Sequence, residues 1–264
     1  MHSAGRAPST SGEASGAFLA ILASLAALGT LATNILLPSL PGIAGSFGAP
    51  TSATGSMMSS FFATFAVGQL FVGPLSDRYG RRPIVLGGLV VFVVGSIVCA
   101  LAPTLPSLVG GRVIQAIGVC ATAVLSRAIA RDLFSGTELA RVLSFIMVAM
   151  AAAPGFSPLV GNGLDYAFGW RSAFASVAVF GLALLLAYAL SIGETHSAAR
   201  IRLDTAAIIG GYVSLLRDRR FIVPAASVSM VIGGLFAVFT VTPAILVDGL
   251  GFTPFALSLF YAGT

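Results

Sequence analysis

The 264-residue chain is 57% hydrophobic and only 9% charged, with a formal net charge of +5 and a mean hydropathy of +0.99. A soluble globular domain carries about a quarter charged residues, so this composition excludes one and places the chain in a bilayer. The 14 basic residues are all arginine and fall mainly between apolar runs, so membrane topology accounts for the excess charge better than nucleic acid does.

In chain order, residues 1–16 are small and polar and read as a disordered tail. Ala17–Leu37 is the first apolar run of about 20 residues, long enough to span. Arg6 ahead of it would also suit a signal peptide, but the similar runs that follow favour a retained first span. Those runs are Gly55–Leu75, Ile84–Ala102, Leu108–Ala130, Val142–Leu164, Ser172–Ile192 and Val223–Val247, and an eighth begins near Thr253 and is cut off at Thr264. All are expected to be helices, because a bilayer core offers backbone groups no other partner unless a barrel closes. Cys99 and Cys120 lie inside apolar runs and read as small packing residues, giving neither a disulfide framework nor a metal site. Gly88 with Gly95, and Gly111 with Gly118, suit close helix packing. One set of connectors carries Arg78, Arg81, Arg82, Arg131, Arg141, Arg200, Arg202, Arg217, Arg219 and Arg220, and the opposite set holds only Arg171. The positive-inside rule therefore puts the amino terminus and the arginine-rich connectors in the cytoplasm. The longest connector, 193–222, follows six spans and reads as the link between a six-helix bundle (17–192) and the first part of a second bundle (223–264).

Between the second and third runs lies Gly73-Pro-Leu-Ser-Asp-Arg-Tyr-Gly-Arg-Arg-Pro83. Gly73 and Pro74 are expected to end the upstream helix, and Gly80 permits a backbone conformation that a Cβ disfavours. Asp77, Arg78, Arg81 and Arg82 stay in water or pair with one another at the membrane face. This stretch resembles, position for position, the Gly-x-Leu-x-Asp-Arg-x-Gly-Arg-Arg signature between the second and third helices of major facilitator superfamily (MFS) transporters. The resemblance implies an all-α integral membrane fold of two six-helix bundles, here an N-terminal bundle plus the start of the second, truncated in its eighth helix.

Inside the spans, Arg112 stands out. An arginine at a helix centre costs about 3 kcal/mol, so it either faces a polar interior or snorkels to the surface, and Gln115 on the same face favours the interior. The segment resembles the Arg-x-x-Gln-Gly motif of the fourth MFS helix, with Ala116 in place of the glycine; the resemblance gives Arg112 a part in proton transfer. Pro154, Pro158 and Gly161 break up the fifth run and resemble the Pro/Gly motif by which MFS exporters seal one side, with Asn162 where a glycine is usual. Gly169-Trp-Arg-Ser-Ala-Phe174 resembles the start of the sixth helix. Asp132 matches an acidic position that pairs with the signature loop in relatives, which implies an Arg81–Asp132 latch, and Asp77 there also faces the second bundle. Arg127 and Arg131 are placed at the cytoplasmic face beside Asp132.

Leu37-Pro-Ser-Leu-Pro41, Gly68-Gln-Leu-Phe-Val-Gly-Pro74, Arg127-Ala-Ile-Ala-Arg-Asp-Leu-Phe134 and Leu215-Leu-Arg-Asp-Arg-Arg-Phe221 together resemble the bicyclomycin/chloramphenicol resistance (Bcr/CflA) drug:proton antiporters. That resemblance implies alternating-access efflux of small amphipathic drugs across a bacterial inner membrane, with protons as coupling ion and the bilayer as surroundings. It implies no cofactor, metal or nucleic-acid partner, and oligomeric state is not legible. The branch's first helix carries an aspartate where this chain has Asn34, and Asn cannot titrate, though it can hydrogen-bond a substrate. No Asp or Glu lies deep in any complete span, and His2 and His196 fall outside them. Proton coupling is therefore expected to be altered, lost, or carried by groups beyond residue 264. Phe61, Phe62, Phe65 and Phe236 would suit an amphipathic drug or serve as plain packing. The alternatives are a facilitator or sugar carrier of the same fold, an inactive truncated transporter, and a seven-helix receptor, against which the loop charges argue. No nucleophile–base pair, metal cluster or phosphate loop supports an enzyme.

Overall fold

The computed structural model describes residues 16–195, 205–243, 245–246 and 251–252. The expectations for the amino-terminal tail, His196, Arg200, Arg202 and the run from Thr253 lie outside these residues, as does the side chain of Phe236. The chain belongs to the all-α class: among the described residues helix follows helix and there is no strand.

The first span is α1 (Gly16–Asn34), a short 3-10 turn (Leu37–Ser39) and α2 (Leu40–Ser46). The sequence reading ends this span at Leu37, but helix resumes and runs on to Ser46. The break has a simple cause, since Pro38 has no N–H to offer the carbonyl of Asn34 and Pro41 restarts the helix in its first turn. A second 3-10 turn (Thr51–Thr54) leads into α3 (Gly55–Tyr79), followed by α4 (Arg81–Ala100), α5 (Leu105–Leu133), α6 (Gly136–Phe168) and α7 (Arg171–Ser191). Six helical stretches among the described residues are long and apolar enough to cross a bilayer. In the connector, α8 (Thr205–Arg217) forms, and α9 (Arg219–Pro243) starts four residues ahead of the expected Val223.

The centre of the bundle is α5, which packs on α1, α3, α4 and α6, while α4 also packs on α7, and α1 on α6. Small residues let α4 and α5 approach closely. A Cβ on Gly95 would fall within 2.7 Å of Gln115 Cα, and one on Gly88 within 2.7 Å of the Gly118 carbonyl oxygen. In lipid there is no hydrophobic drive between helices, so this backbone proximity is what dispersion acts on. The N-terminus of α5 is closed by a capping box in which the Thr104 hydroxyl accepts from Ser107 N–H and the Ser107 hydroxyl accepts from Thr104 N–H.

Candidate functional site

The signature stretch is not a loop. α3 passes straight through Gly73 and Pro74 to Tyr79, so the connector between α3 and α4 is the single residue Gly80, at φ +100°. Two local features make this possible. Pro74 cannot donate to the carbonyl of Leu70, and Tyr212 of α8 supplies the missing donor through its Oη at 2.5 Å. At the other end, the Gly80 amide still closes the last turn on Ser76 O at 2.9 Å, and only glycine tolerates the φ that follows.

Charges gather around this joint. Arg81 donates from Nη1 to Asp77 Oδ1 at 2.6 Å, from Nε to Asp132 Oδ2 at 3.0 Å, and from Nη1 to the Ser76 hydroxyl. It therefore ties α4 to α3 and α5 at once, with its side chain only 11% exposed. Arg82 Nη2 reaches the carbonyl of Ala189 on α7 at 2.8 Å. The Glu194 carboxylate accepts the backbone N–H of Arg81 (2.9 Å) and of Arg82 (3.3 Å), filling two of the orphan donors at the start of α4. Arg78 stands apart, its guanidinium 5.2 Å from the centre of the Tyr79 ring.

A second locus surrounds the end of α1. Arg112 is fully buried. Its Nη1 donates to Gln115 Oε1 at 2.5 Å and to the Ala32 carbonyl at 3.3 Å, and its guanidinium carbon lies 4.0 Å from the centre of the Phe61 ring. The Ala32 carbonyl is available because α1 breaks there: the Leu36 amide that would close the turn on it bonds Thr33 O instead. The negative end of the α1 dipole thus meets the buried cation. Gln115 passes the chain on through Nε2 to Ser96 Oγ at 2.7 Å, and Ser96 Oγ donates to Phe92 O at 2.8 Å, so α4 takes part as well. Nε of Arg112 is buried without a hydrogen-bond partner among the described residues. Asn34 is buried on the same break, but its Nδ2 turns back to Thr30 O of its own helix at 2.8 Å.

α6 meets this break at Gly161. Pro158 is buried, Ser157 Oγ donates to Ala153 O at 2.5 Å, and a Cβ on Gly161 would run into the carbonyl of Ile35, within 2.8 Å of its carbon. Arg112 and Gly161 therefore meet the break at Ala32 and Ile35, with Gln115 joined to it through Arg112, whereas Asp77, Gly80, Arg81, Arg82 and Asp132 form a separate cluster at the other end.

Between the two lies a cavity of about 470 Å³, closed on one side by Ile232 and Gly233 of α9. Phe61, Phe62 and Phe65 line it, with Phe61 and Phe65 nearly parallel at 6.1 Å and Phe61 edge-on to Phe62 at 5.9 Å. Thr30, Thr33 and Gln69 add hydrogen-bonding groups. Arg127, read from sequence as a residue at the membrane face, is half-buried and lines the cavity. Its place one turn inside Arg131 on a span was the signal for that. Glu194, Ser96 and Tyr212 carried no such signal, since their partners Arg81, Gln115 and Leu70 lie far off in the sequence. Among the described residues no three His, Cys, Asp or Glu side chains converge to hold a metal.

The sequence profile of the Major Facilitator Superfamily matches residues 22–264. The chain belongs to that superfamily. This MFS member is 35% identical over 217 residues to "Uncharacterized MFS-type transporter YdgK" of Bacillus subtilis, covering 81% of this chain and 54% of that one. It is 30% identical over 214 residues to "Multidrug resistance protein D" of Escherichia coli K12, covering 79% and 52%. It is 32% identical over 184 residues to "Bicyclomycin resistance protein homolog" of Haemophilus influenzae, covering 69% and 46%. The chain thus spans about half the length of the relatives it matches, which are named as transporters and resistance proteins rather than enzymes. Among solved structures it resembles a bacterial homolog of the human lysosomal transporter Spinster, in an inward-facing and unoccupied conformation, with TM-score 0.75 at 16% identity, covering 92% of this chain and 58% of that one. It also resembles a D-xylose-proton symporter, with TM-score 0.62 at 19% identity, covering 94% and 65%. Both likenesses are likenesses of fold.

Proposed function

We propose that this MFS member exports small amphipathic molecules from the cytoplasm across a bacterial inner membrane by alternating access. The observation that carries the reading is the aromatic cavity between the α1–α7 bundle and α9. Its volume falls within the range of about 300–1,000 Å³ usual for sites that hold drug-sized ligands. Two bundles rocking about such a midplane site is how the fold family alternates access. The loop arginines put the amino terminus and the Gly80 joint in the cytoplasm. In that setting Arg81 with Asp77 and Asp132 acts as a cytoplasmic latch between helices, and the contact of Gly161 with Ile35 at the α1 break seals the other side. The bacterial relatives named for multidrug and bicyclomycin resistance favour export over uptake.

Inward proton flow is the proposed driving force, with Arg112 and Gln115 holding the path beside α1. One observation favours a second reading, an uncoupled facilitator: among the described residues no Asp or Glu is buried. Accumulation of a fluorescent amphiphile in cells expressing the protein separates them. Lower accumulation that an uncoupler abolishes is the expected result. Faster equilibration in both directions, indifferent to uncoupler, would mark the facilitator, and accumulation equal to that of vector cells would overturn transport of this class.

A further inference from the structure

The cavity is apolar on most of its wall and carries one ionic group, Arg127. Among the described residues its guanidinium makes one hydrogen bond, from Nη2 to the thioether of Met150 at 3.1 Å, and its Nε is buried with no acceptor. A thioether is a weak acceptor, so most of the donor capacity of a five-donor cation is unused. The carboxylate on the same helix, Asp132, is engaged by Arg81 at 3.0 Å. The fully buried cation, Arg112, lies behind Phe61, a ring shared between that guanidinium and the cavity wall. No buried carboxylate among the described residues balances either charge. A desolvated cation without a partner is costly, and a planar guanidinium meets carboxylate or sulfonate oxygens two at a time.

From this arrangement we infer that the cavity selects aromatic organic anions: an acid group on Arg127 with a ring system against Phe61, Phe62 and Phe65. The inference rests on the cavity being the substrate site, as proposed above. Three features of the wall support the pairing. The charge has one sign, the rings are already arranged edge-on and stacked, and Thr30 and Thr33 leave room for polar substituents. A cationic amphiphile would meet repulsion from Arg127, and a neutral one would leave it unpartnered.

The test uses the full chain in phosphatidylcholine nanodiscs, where no anionic lipid competes. The probes are 1-anilinonaphthalene-8-sulfonate and N-phenyl-1-naphthylamine, which share one ring system and differ by the sulfonate. Fluorescence is read against empty nanodiscs. Arg127→Gln is expected to weaken binding of the sulfonate by on the order of tenfold or more, the scale of hydrogen bonds to a charged group, and to leave the neutral probe bound at least as tightly as before. Arg127→Lys, which keeps the charge, is expected to recover most of the loss and shows that the site still folds. Phe65→Ala is expected to weaken both probes. Equal loss of both probes in Arg127→Gln, or no loss of either, would overturn the anion preference while leaving the cavity as the site. Failure of both probes to bind above empty nanodiscs, or indifference of both to Phe65→Ala, would overturn the cavity reading itself, and the preference with it.

Discussion

Replacing Gly161 by alanine isolates the contact between α6 and the α1 break. An ideal Cβ there collides with the Ile35 carbonyl, lying 2.8 Å from its carbon and 3.1 Å from Ile35 Cγ1. The obstacle is backbone at a break held by Pro38, so it cannot step aside as the tip of a flexible side chain could. α6 would have to move outward by roughly an ångström, and overpacking of this kind costs about 1–3 kcal/mol. The same helix contains its own control. Gly155 has nothing within 4 Å of its Cβ position, so Gly155→Ala should gain the helix preference of alanine, about 0.5–1 kcal/mol. The two variants should therefore differ by about 1.5–4 kcal/mol, of opposite sign relative to the parent. Unfolding of the purified proteins in matched micelles, by heat and by SDS titration, measures the gap. If both alanines shift stability equally, the close approach of α6 to Ile35 is not the reason for glycine at 161.

Four further outcomes follow from the same geometry. Arg81→Ala and Asp132→Ala, made singly and together, should show a coupling energy of about 0.5–3 kcal/mol in unfolding, as groups sharing one network do; additive losses in stability and in transport would remove the latch. Arg112→Leu should abolish transport and cost about 1–3 kcal/mol of stability by leaving Gln115 Oε1 and the Ala32 carbonyl without their donor; a variant that transports normally would refute the assignment. Tyr212→Phe should cost about 0.5–1.5 kcal/mol by leaving the Leu70 carbonyl without its donor, read as earlier cleavage or unfolding of α8; unchanged stability would mean water serves the carbonyl as well. Asn34→Asp should steepen the pH dependence of transport by adding a titratable group to the α1 break, and a flat response would show that no proton path runs there.

Much of this was legible in the residues. The spacing of Arg112 and Gln115 put both on one face, and their shared burial follows from it. Arg81 and Asp132 were paired by resemblance to a family pattern, and the two groups lie 3.0 Å apart. The apolar runs lie on the helices to within about six residues, except at the end of the first, where the helix resumes beyond Leu37 and reaches Ser46. What escaped was whatever depended on a distant partner. Pro74 reads as a helix end unless one knows that Tyr212, 142 residues away in sequence, satisfies the carbonyl that proline strands. The Gly80 stretch reads as a charged loop unless Glu194 is seen to cap the helix that starts immediately after it. The break after Asn34 was readable from Pro38, but the use made of the freed Ala32 carbonyl by Arg112 was not.

The single-residue joint at Gly80 has a mechanical meaning. α3 and α4 are neighbours in sequence but touch each other little; each lies mainly against α5, like the two arms of a pair of tongs. α3 alone of the two walls the cavity, while α4 is anchored to α5 and α7. If the proposed latch holds, a tilt of α3 is taken up at this one glycine, and Arg81, which joins α4 to Asp77 of α3 and Asp132 of α5, is the clasp that releases first.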